Sequence, residues 1–284
     1  MSATPGRLDV VATPIGNLGD LSARARSALE QATVIAAEDT RHTGQLLASC
    51  GISRPMLSLH DYNEAQRSAS LVRRMLAGEV IALVSDAGTP LLSDPGYQLV
   101  RAAAAAGVVV RTIPGPSAVT AALSIAGLAT DRFAFEGFLP ASAGARRKAL
   151  SLLASEYRTL VFFEAPHRLV ETLADMAAVF GSERFAVIAR ELTKTYESVY
   201  RGTLAALVTM AGADPQMVRG EIVLLVAGAV QREVAGDTEL LARALLLLLA
   251  ELPPARAAGI AAKLSGVSRD EAYALAVQLQ RQSR

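Results

Sequence analysis

Short apolar runs alternate with helical patterns from Leu8 to Ile113, and this alternation constrains the fold more than any other feature of the chain. The predicted strands are Leu8–Ala12, Thr33–Ala37, Met56–Leu59, Val80–Val84 and Val108–Ile113. Helical patterns separate them at Ser22–Gln31, Glu64–Ala77 and Gly96–Ala106. Near-continuous apolar strands that alternate with helices are typical of a parallel sheet covered on both faces.

A second α/β unit is expected after a stretch with linker-like composition, Gly127 to Gly144. Its predicted strands are Thr159–Phe163, Phe185–Ala189, Ser198–Tyr200 and Ile222–Ala227, and its clearest helix is Leu169–Phe180. The third of these strands follows the second after only a few residues, which leaves no room for a crossover helix. We therefore predict at least one antiparallel pair, and a mixed sheet.

The tail from Asp237 has a helical pattern throughout, broken at Pro253-Pro254 and turned again at Gly266. Ser268 and Glu271 have the spacing of a capping box at the start of the last helix. The predicted fold class is α/β, with two α/β/α domains, the first with a parallel and the second with a mixed sheet, plus a small helical C-terminal extension. The predicted boundaries are 1–122, 123–232 and 233–284.

Composition excludes several classes of protein. The apolar runs end far short of the roughly 20 residues that span a bilayer, and we see no secretory signal, so we expect a cytoplasmic protein without membrane contact. One cysteine, Cys50, allows no multi-cysteine metal site, and we predict no metal. The net charge of +1 requires that any RNA contact use locally grouped basic residues. The candidates for such a group are Arg24, Arg26, Arg41, Arg67, Arg73, Arg74 and Arg146–Lys148.

The loops after the five predicted strands of the first unit are rich in Gly, Pro and polar residues. They contain Thr13–Asn17, Glu38–His42, His60–Glu64, Ser85–Gly96 and Pro114–Ser117. Ligands of parallel sheets bind where strands end, so these loops are expected to form the site. One interpretation of Asp94 is that it caps the helix after Gly96. The first loop lacks a G-x-G-x-x-G pattern, and Glu38 alone gives little support for a nicotinamide cofactor.

These loops resemble those of the tetrapyrrole-methylase superfamily, and more closely those of its small-subunit ribosomal RNA methyltransferase I branch, which modifies a cytidine 2′-hydroxyl. The resemblance extends over nearly the whole chain. The segments that carry it are Thr13–Leu18, Ala37–Arg41, Val84–Pro90, Ser93–Gly96, Pro114–Ala118, Phe135–Pro140, Phe162–Arg168, Arg190–Lys194 and Gly220–Ile222.

The resemblance implies that S-adenosylmethionine binds between the two domains and that 16S rRNA, or the small ribosomal subunit, is the partner of a homodimer. The implied cofactor positions are Ile15, Gly16, Val84, Ser85, Asp86, Thr89, Ser117, Ala118 and Glu164. A ribose hydroxyl needs a base within hydrogen-bond reach. The candidates are Glu38, Asp39, His60 and Glu64, and the sequence does not choose among them. Arg41, Asn63 and Arg190 are the candidates for holding phosphate or base.

Two other functions are compatible with the sequence. The first keeps the cofactor and replaces RNA by a tetrapyrrole or another small molecule; the helical tail and the His60–Glu64 loop argue against it. The second is a ribosome-assembly binding protein without catalysis; the loops Ser85–Thr89 and Pro114–Ala118 argue against it. A bound porphyrin-like ligand would favour the small-molecule methyltransferase, and failure to bind S-adenosylmethionine would favour the binding protein without catalysis.

Overall fold

The computed structural model describes residues 6–230 and 238–282. The chain divides into two compact units, Met1–Ala229 and Val230–Arg284. The predicted boundary between residues 232 and 233, and the predicted start of the tail at Asp237, lie outside the described residues.

The first sheet of the larger unit is parallel throughout, as the strand–helix alternation predicts. Its strands are β1 (Arg7–Val11), β2 (Val34–Ala37), β3 (Met56–Ser58), β4 (Val80–Val84) and β5 (Val109–Ile113). They pair in the order β3-β2-β4-β1-β5. Every residue of β2 is buried, because helices cover both faces of the sheet.

Five helices connect or follow these strands, and the sequence patterns indicated three of them. They are α1 (Ala23–Gln31), α2 (Thr40–Ser49), α3 (Glu64–Leu76), α4 (Tyr97–Ala105) and α5 (Ala118–Ala126). Helix α2 has a weak pattern because only Thr43 and Leu47 are buried. Helix α5 is apolar around most of its circumference, so it shows little helical periodicity.

The second sheet is mixed, which confirms the prediction from the short connection between the strands predicted at Phe185–Ala189 and Ser198–Tyr200. Its strands are β6 (Phe133–Phe138), β7 (Thr159–Glu164), β8 (Phe185–Arg190), β9 (Ser198–Thr203) and β10 (Ile222–Val226), in the order β6-β7-β10-β8-β9. The β6–β7 pair is parallel and the other three pairs are antiparallel. Its helices are α6 (Ala143–Leu152), α7 (Leu169–Phe180) and α8 (Leu204–Ala213).

Strand β6 lies inside the stretch that has the composition of a linker. It is an edge strand with no fully buried residue, and its register shifts between Phe135 and Gly137. Both features weaken the alternation of apolar and polar residues by which a strand is recognised. The linker interpretation of residues 127–144 is therefore wrong for Phe133–Phe138.

Helix α5 joins the two α/β halves. Val119, Leu123 and Ala126 pack with Val161 and Val187 of the second sheet in one apolar cluster. The helix begins directly after the loop that follows β5 of the first sheet. The predicted domain boundary at residue 122 consequently falls within a single helix whose side chains pack on the second half.

The described part of the smaller unit contains three helices, α9 (Thr238–Leu248), α10 (Pro254–Ser265) and α11 (Arg269–Gln282). Their core consists mostly of Ala and Leu side chains. Ser268 begins α11 as predicted, since its Oγ accepts a hydrogen bond from the Glu271 N–H at 3.2 Å. Within the described ranges, no helix is long and apolar enough to cross a membrane.

The start of α4 is stabilised from a neighbouring helix. Its N-cap residue is Gly96, which has no side chain to accept a hydrogen bond, and Glu64 of α3 fills that role. Glu64 is buried, and its Oε1 accepts the N–H of Leu99 at 3.0 Å.

We expect Glu64→Ala to lower the free energy of unfolding by about 1–3 kcal/mol, because it leaves the buried Leu99 N–H without an acceptor. Urea denaturation of the two proteins measures the difference. Glu30→Ala is the control, since Glu30 forms an exposed pair with Arg26 whose loss costs less than about 1 kcal/mol. Equal losses in both variants would contradict the capping role.

Candidate active site

A cavity of about 440 Å³ lies where the loops after β1, β2, β4 and β5 face the second sheet. On the second sheet it is bordered by the end of β7 and the start of β10, which lie side by side because Glu164 pairs with Ile222. Ligand pockets typically enclose about 300–1,000 Å³. The cavity therefore has the size of a small-molecule site, at the edge of the sheet where the sequence predicts one.

Backbone hydrogen bonds hold the loops of the first sheet together. Thr13 and Gly88 exchange two N–H···O bonds of 2.9 and 3.1 Å, and the Thr89 hydroxyl donates to the Pro116 carbonyl at 2.9 Å. Gly88 has φ +82°, and a Cβ there would lie 3.2 Å from Cγ2 of Ile15. The loops after β1, β4 and β5 thus form one connected floor.

The loops after β2 and β4 are joined by a reciprocal pair of hydrogen bonds. The Asp86 N–H donates to Oε2 of Glu38 at 3.3 Å, and the Asp39 N–H donates to Oδ1 of Asp86 at 3.0 Å. Each carboxylate accepts a backbone N–H from the other loop. This arrangement fixes Glu38 and Asp86, which both line the cavity.

Three carboxylates of the first half face the cavity: Glu38, Asp86 and Asp94. Burial raises the pKa of Asp94 to about 6; the Ser85 hydroxyl opposes this rise, and the charges of Glu38, Asp86 and Asp61 add to it. Burial also raises the pKa of Glu38 above 4.5, against the hydrogen bond from Asp86. The cavity wall is therefore acidic, and this favours a cationic ligand.

The loop that carries Asp94 is strained. Leu91 has φ +75° and Ser93 has φ +69°, both in the left-handed region that disfavours residues with a side chain. The conformation places Leu92, Ser93 and Asp94 in the cavity lining. Asp94 does not cap α4, because Gly96 is the N-cap and Glu64 accepts the Leu99 N–H.

The opposite wall is apolar and aromatic. Phe163 packs edge-on against Phe135 at 4.9 Å and against Phe138 at 5.5 Å between ring centroids. Phe138, Phe163, Leu192 and Val223 line the cavity. Phe138 is 58% exposed, so much of its side chain is accessible from the cavity side and from solvent.

Ser117 lies between these walls as the N-cap residue of α5. It is 9% exposed, and its Oγ has no hydrogen-bond partner within residues 6–230 and 238–282. Buried hydroxyls are nearly always hydrogen-bonded in folded proteins. An unpaired Oγ that borders a cavity at a helix N-terminus therefore points to a ligand with an acceptor or donor at that position.

Six of the nine implied cofactor positions line the cavity: Ile15, Asp86, Thr89, Ser117, Ala118 and Glu164. Val84 is packed in the core of the first half, and the buried Ser85 donates its hydroxyl to the Ala87 carbonyl. Gly16 lies under Lys194 of the β8–β9 loop, since a Cβ there would be 2.4 Å from Lys194 Cγ. The structure places these three residues beside the lining.

The Glu164 carboxylate is already engaged within the second half. Its Oε1 accepts from Arg168 Nε at 2.8 Å and from the Ala165 N–H at 2.7 Å, and its Oε2 accepts from the Thr172 hydroxyl at 2.6 Å. Its charge is neutralised by Arg168. Glu164 borders the cavity but braces the end of β7 against α7.

Glu38 is the one candidate base that lines the cavity. Asp39 is the N-cap of α2, and its pairing with Arg41 lowers its pKa to about 2, where a carboxylate is a poor base. Glu64 caps α4. We therefore assign structural roles to Asp39 and Glu64. His60 lies outside the cavity lining, with its Nε2 3.0 Å from Asn63 Nδ2.

Of the three candidates for RNA contact, Arg41 alone has an exposed side chain, 88% accessible on α2. Asn63 organises its loop: Oδ1 accepts the His60 N–H and Nδ2 donates to the Ser58 carbonyl. Arg190 is buried, and its guanidinium donates to the carbonyls of Arg219 and Tyr196.

The basic cluster expected at the start of the second unit is only partly a surface feature. Arg146 is 1% exposed and donates from Nε to Asp175 at 2.7 Å. The expectation that Arg146 lies on a basic face is therefore wrong. A run of three adjacent basic residues gives no sign that the first of them is paired inside the protein.

Several lining residues have no role predicted from the sequence. They are Ala87, Leu92, Ser93, Phe138, Phe163, Ala165, Pro166, Ala189, Leu192, Gly220, Glu221, Ile222 and Val223. Many belong to segments that carry the family resemblance, and this was the signal available. Their meeting at one cavity depends on how the second sheet faces the first, which local patterns do not show.

The parallel sheet and the mixed sheet, with a cavity at their strand ends, define a two-domain α/β architecture. Residues 7–208 match the family model of Tetrapyrrole (Corrin/Porphyrin) Methylases, and residues 234–280 match that of the RsmI C-terminal HTH domain. Two similar proteins bear the name ribosomal RNA small subunit methyltransferase I. The one from Xylella fastidiosa (strain Temecula1) is 55% identical over 95% of this chain and 99% of its own length.

The second, from Pseudomonas aeruginosa, is 51% identical over 98% of this chain and 99% of its own length. The chain belongs to the tetrapyrrole methylase family and, within it, to the branch of the ribosomal RNA small subunit methyltransferases I. Among solved structures, uroporphyrin-III C-methyltransferase from Thermus thermophilus complexed with S-adenyl homocysteine is similar in fold. Its TM-score is 0.56 at 20% identity, over 80% of this chain and 99% of that one.

The raised pKa of Asp94 makes a prediction about stability. Below pH 3.8 the carboxyl group is neutral in both the folded and the unfolded state. Between pH 3.8 and about 6 the unfolded state loses its proton first, so the folded state is progressively destabilised, and above that range the penalty is constant. Replacement by Asn removes the penalty.

We expect Asp94→Asn to raise the Tm by about 3–6 °C at pH 8 and to leave it unchanged at pH 3.5. Differential scanning calorimetry at both pH values measures the effect. Asp131→Asn, an exposed position before β6, is the matched control and should change the Tm at neither pH. A Tm gain of equal size at both pH values would contradict the burial of an ionised Asp94.

Proposed function

We propose that this protein transfers the methyl group of S-adenosylmethionine to the ribose 2′-hydroxyl of a cytidine in 16S rRNA. The observation that carries the proposal is the cavity itself, which has an acidic wall on one side and an aromatic wall on the other. S-adenosylmethionine carries a positively charged sulfonium, a positively charged ammonium, one carboxylate and a flat adenine ring. Each of these parts has a complementary surface in the cavity.

Ser117 and the N-terminus of α5 would hold the carboxylate of the cofactor. The Ser117 Oγ is buried, borders the cavity and lacks a partner in the part of the chain that the structure describes. The first N–H groups of a helix are unpaired and carry partial positive charge. An anionic group at this point would receive hydrogen bonds from both.

The sulfonium and the ammonium groups of the cofactor would lie against Glu38, Asp86 and Asp94. None of these carboxylates forms an ion pair among residues 6–230 and 238–282, whereas Glu164 is paired with Arg168 and Glu221 with Lys194. The uncompensated negative charge is therefore concentrated on the first half. A cation that enters the cavity lowers the electrostatic cost of burying these carboxylates.

The adenine ring would pack against Phe138, Phe163, Leu192 and Val223. Aromatic side chains that line a pocket prefer flat ligands. Coverage by the ring would also account for the exposure of Phe138. When bound, S-adenosylmethionine supplies a methyl group on a positively charged sulfur that leaves as a neutral thioether, so the chain has mainly to position the ribose oxygen and accept its proton.

RNA as the substrate is supported by the names of the relatives, which are similar to this chain over nearly its full length. Arg41, at the edge of the cavity loops on α2, offers an exposed guanidinium to a phosphate. Residues 238–282 contain five basic residues (Arg243, Arg256, Lys263, Arg269 and Arg281) and four acidic ones (Glu239, Glu251, Asp270 and Glu271), so their charge alone does not favour RNA. A homodimer and a cytoplasmic location are part of this proposal.

We expect the protein to transfer labelled methyl from S-adenosylmethionine to small ribosomal subunits that lack their native modifications. Nucleoside analysis of the digested RNA should yield 2′-O-methylcytidine. Subunits from unmodified and fully modified cells provide the comparison, since the latter should accept no label. Label that appears in a tetrapyrrole offered in parallel, and not in the RNA, would replace RNA by a small-molecule substrate.

A second prediction tests the acidic wall. Asp86→Asn keeps an oxygen that accepts the Asp39 N–H but removes the charge, so we expect the Kd for S-adenosylmethionine to rise about tenfold, which corresponds to about 1.4 kcal/mol. Isothermal titration calorimetry measures the Kd, with Asp131→Asn as the control. An unchanged Kd for Asp86→Asn would exclude an electrostatic contribution of this residue to cofactor binding.

A further inference from the structure

We propose that Asp94 is the catalytic base that accepts the proton of the ribose 2′-hydroxyl. The assignment rests on the proposed function, because it needs a methyl donor in the cavity and a ribose at its mouth. It concerns a residue whose sequence context suggested only a helix cap. Three independent features of the structure lead to it.

The first feature is that this carboxylate neither caps a helix nor neutralises a cation; its side-chain hydrogen-bond partner is the Ser85 hydroxyl. The helix that follows Asp94 begins at Tyr97, its N-cap is Gly96, and the Leu99 N–H is bound by Glu64. In the ranges the structure covers, Asp94 forms no ion pair either. Helix α4 therefore starts without help from Asp94.

The second feature is the strained backbone on either side of the residue. Leu91 at φ +75° and Ser93 at φ +69° occupy a conformation that costs free energy for any residue with a Cβ. Gly137 of β6 makes room for this loop, since a Cβ there would lie 3.1 Å from Ser93 Oγ. The fold maintains an unfavourable loop, and the result is a carboxylate in the cavity.

The third feature is the surroundings of the carboxyl group. Ser85, Glu38, Asp86 and Asp61 act on it from the first half, and Glu164, paired with Arg168, and Glu221, paired with Lys194, line the opposite side. Burial among like charges raises the pKa of Asp94 to about 6. A base with a pKa near the working pH combines ionisation with proton affinity.

The competing candidates are less suited to this task. Glu38 also lines the cavity, but one of its oxygens holds the loop after β4 through the Asp86 N–H. Asp39 is paired with Arg41, Glu64 is buried under α4, and His60 does not line the cavity. Asp94 has neither a backbone partner to hold nor a cation to neutralise it among the described residues.

The step is balanced in atoms and electrons. The ribose oxygen forms its bond to the methyl carbon while its proton passes to a carboxylate oxygen of Asp94. The electron pair of the broken carbon–sulfur bond stays on sulfur, which becomes neutral. Asp94 then releases the proton to water and is ready for the next substrate.

The test compares the wild type, Asp94→Asn and the matched variant Glu38→Gln in methyl transfer to unmodified small ribosomal subunits between pH 5 and 8. We expect Asp94→Asn to lower kcat by about 100-fold or more, while the Kd for S-adenosylmethionine, measured by calorimetry, rises no more than the tenfold expected for Asp86→Asn. The wild type should lose kcat/KM tenfold per pH unit below about pH 6, and Glu38→Gln should keep this acid limb but at lower pH, because the charge of Glu38 helps to raise the pKa of Asp94. The profile of Asp94→Asn should be flat.

Other outcomes overturn the assignment in distinguishable ways. If the wild type is active and Asp94→Asn keeps kcat within fivefold, or retains the acid limb of the profile, Asp94 is not the base although the proposed function stands. If Glu38→Gln instead abolishes the limb, Glu38 takes the role. If the wild type transfers no methyl to RNA while it binds the cofactor, the proposed function fails, and the role of Asp94 fails with it.

Discussion

The hydrogen bonds between neighbouring loops at the carboxyl edge of the first sheet are the constraint on which the site depends. Thr13 and Gly88 exchange backbone hydrogen bonds, the Asp86 N–H donates to Glu38, and the Asp39 N–H donates to Asp86. These bonds leave the loops little freedom. Carboxylates at close range repel each other and would separate on flexible loops. Because their backbones are tied together, the charges stay in place before any ligand arrives, and the reorganisation cost is met during folding and not during the reaction.

This preorganisation lowers the stability of the unliganded protein. Carboxylates that are partly buried without a cation favour the unfolded state, in which they are hydrated. A cationic ligand that binds only the folded state offsets this loss of stability by mass action, so the affinity for the ligand and the stability of the fold are linked. The strained backbone at Leu91 and Ser93 likewise lowers the stability of the fold while it places residues in the site.

The sequence was most informative where a local pattern determines local structure. Helix α7 has the predicted bounds, and the parallel and mixed sheets follow from strand spacing. Strand β6 was missed because an exposed, bulged edge strand has no apolar alternation. The roles of Asn63, Arg190 and Asp94 depend on partners distant in the fold or on backbone strain, and neither is visible in residue type. The family motifs located the cavity, but the structure was needed to distinguish its carboxylates that are paired with a cation from those that are not.

Helix α5 has a consequence for how the cavity can admit its ligands. Its first residue borders the cavity on the side of the first sheet, while its apolar side chains lie in a cluster with Ile15 and the strands of the second sheet. Because α5 packs on the second sheet, hinged opening of the two halves would move the helix with that half and would separate it from Ile15. We therefore expect any such motion to bend the chain at residues 114–117, between β5 and α5, and to widen the cavity on the side of the first-sheet loops.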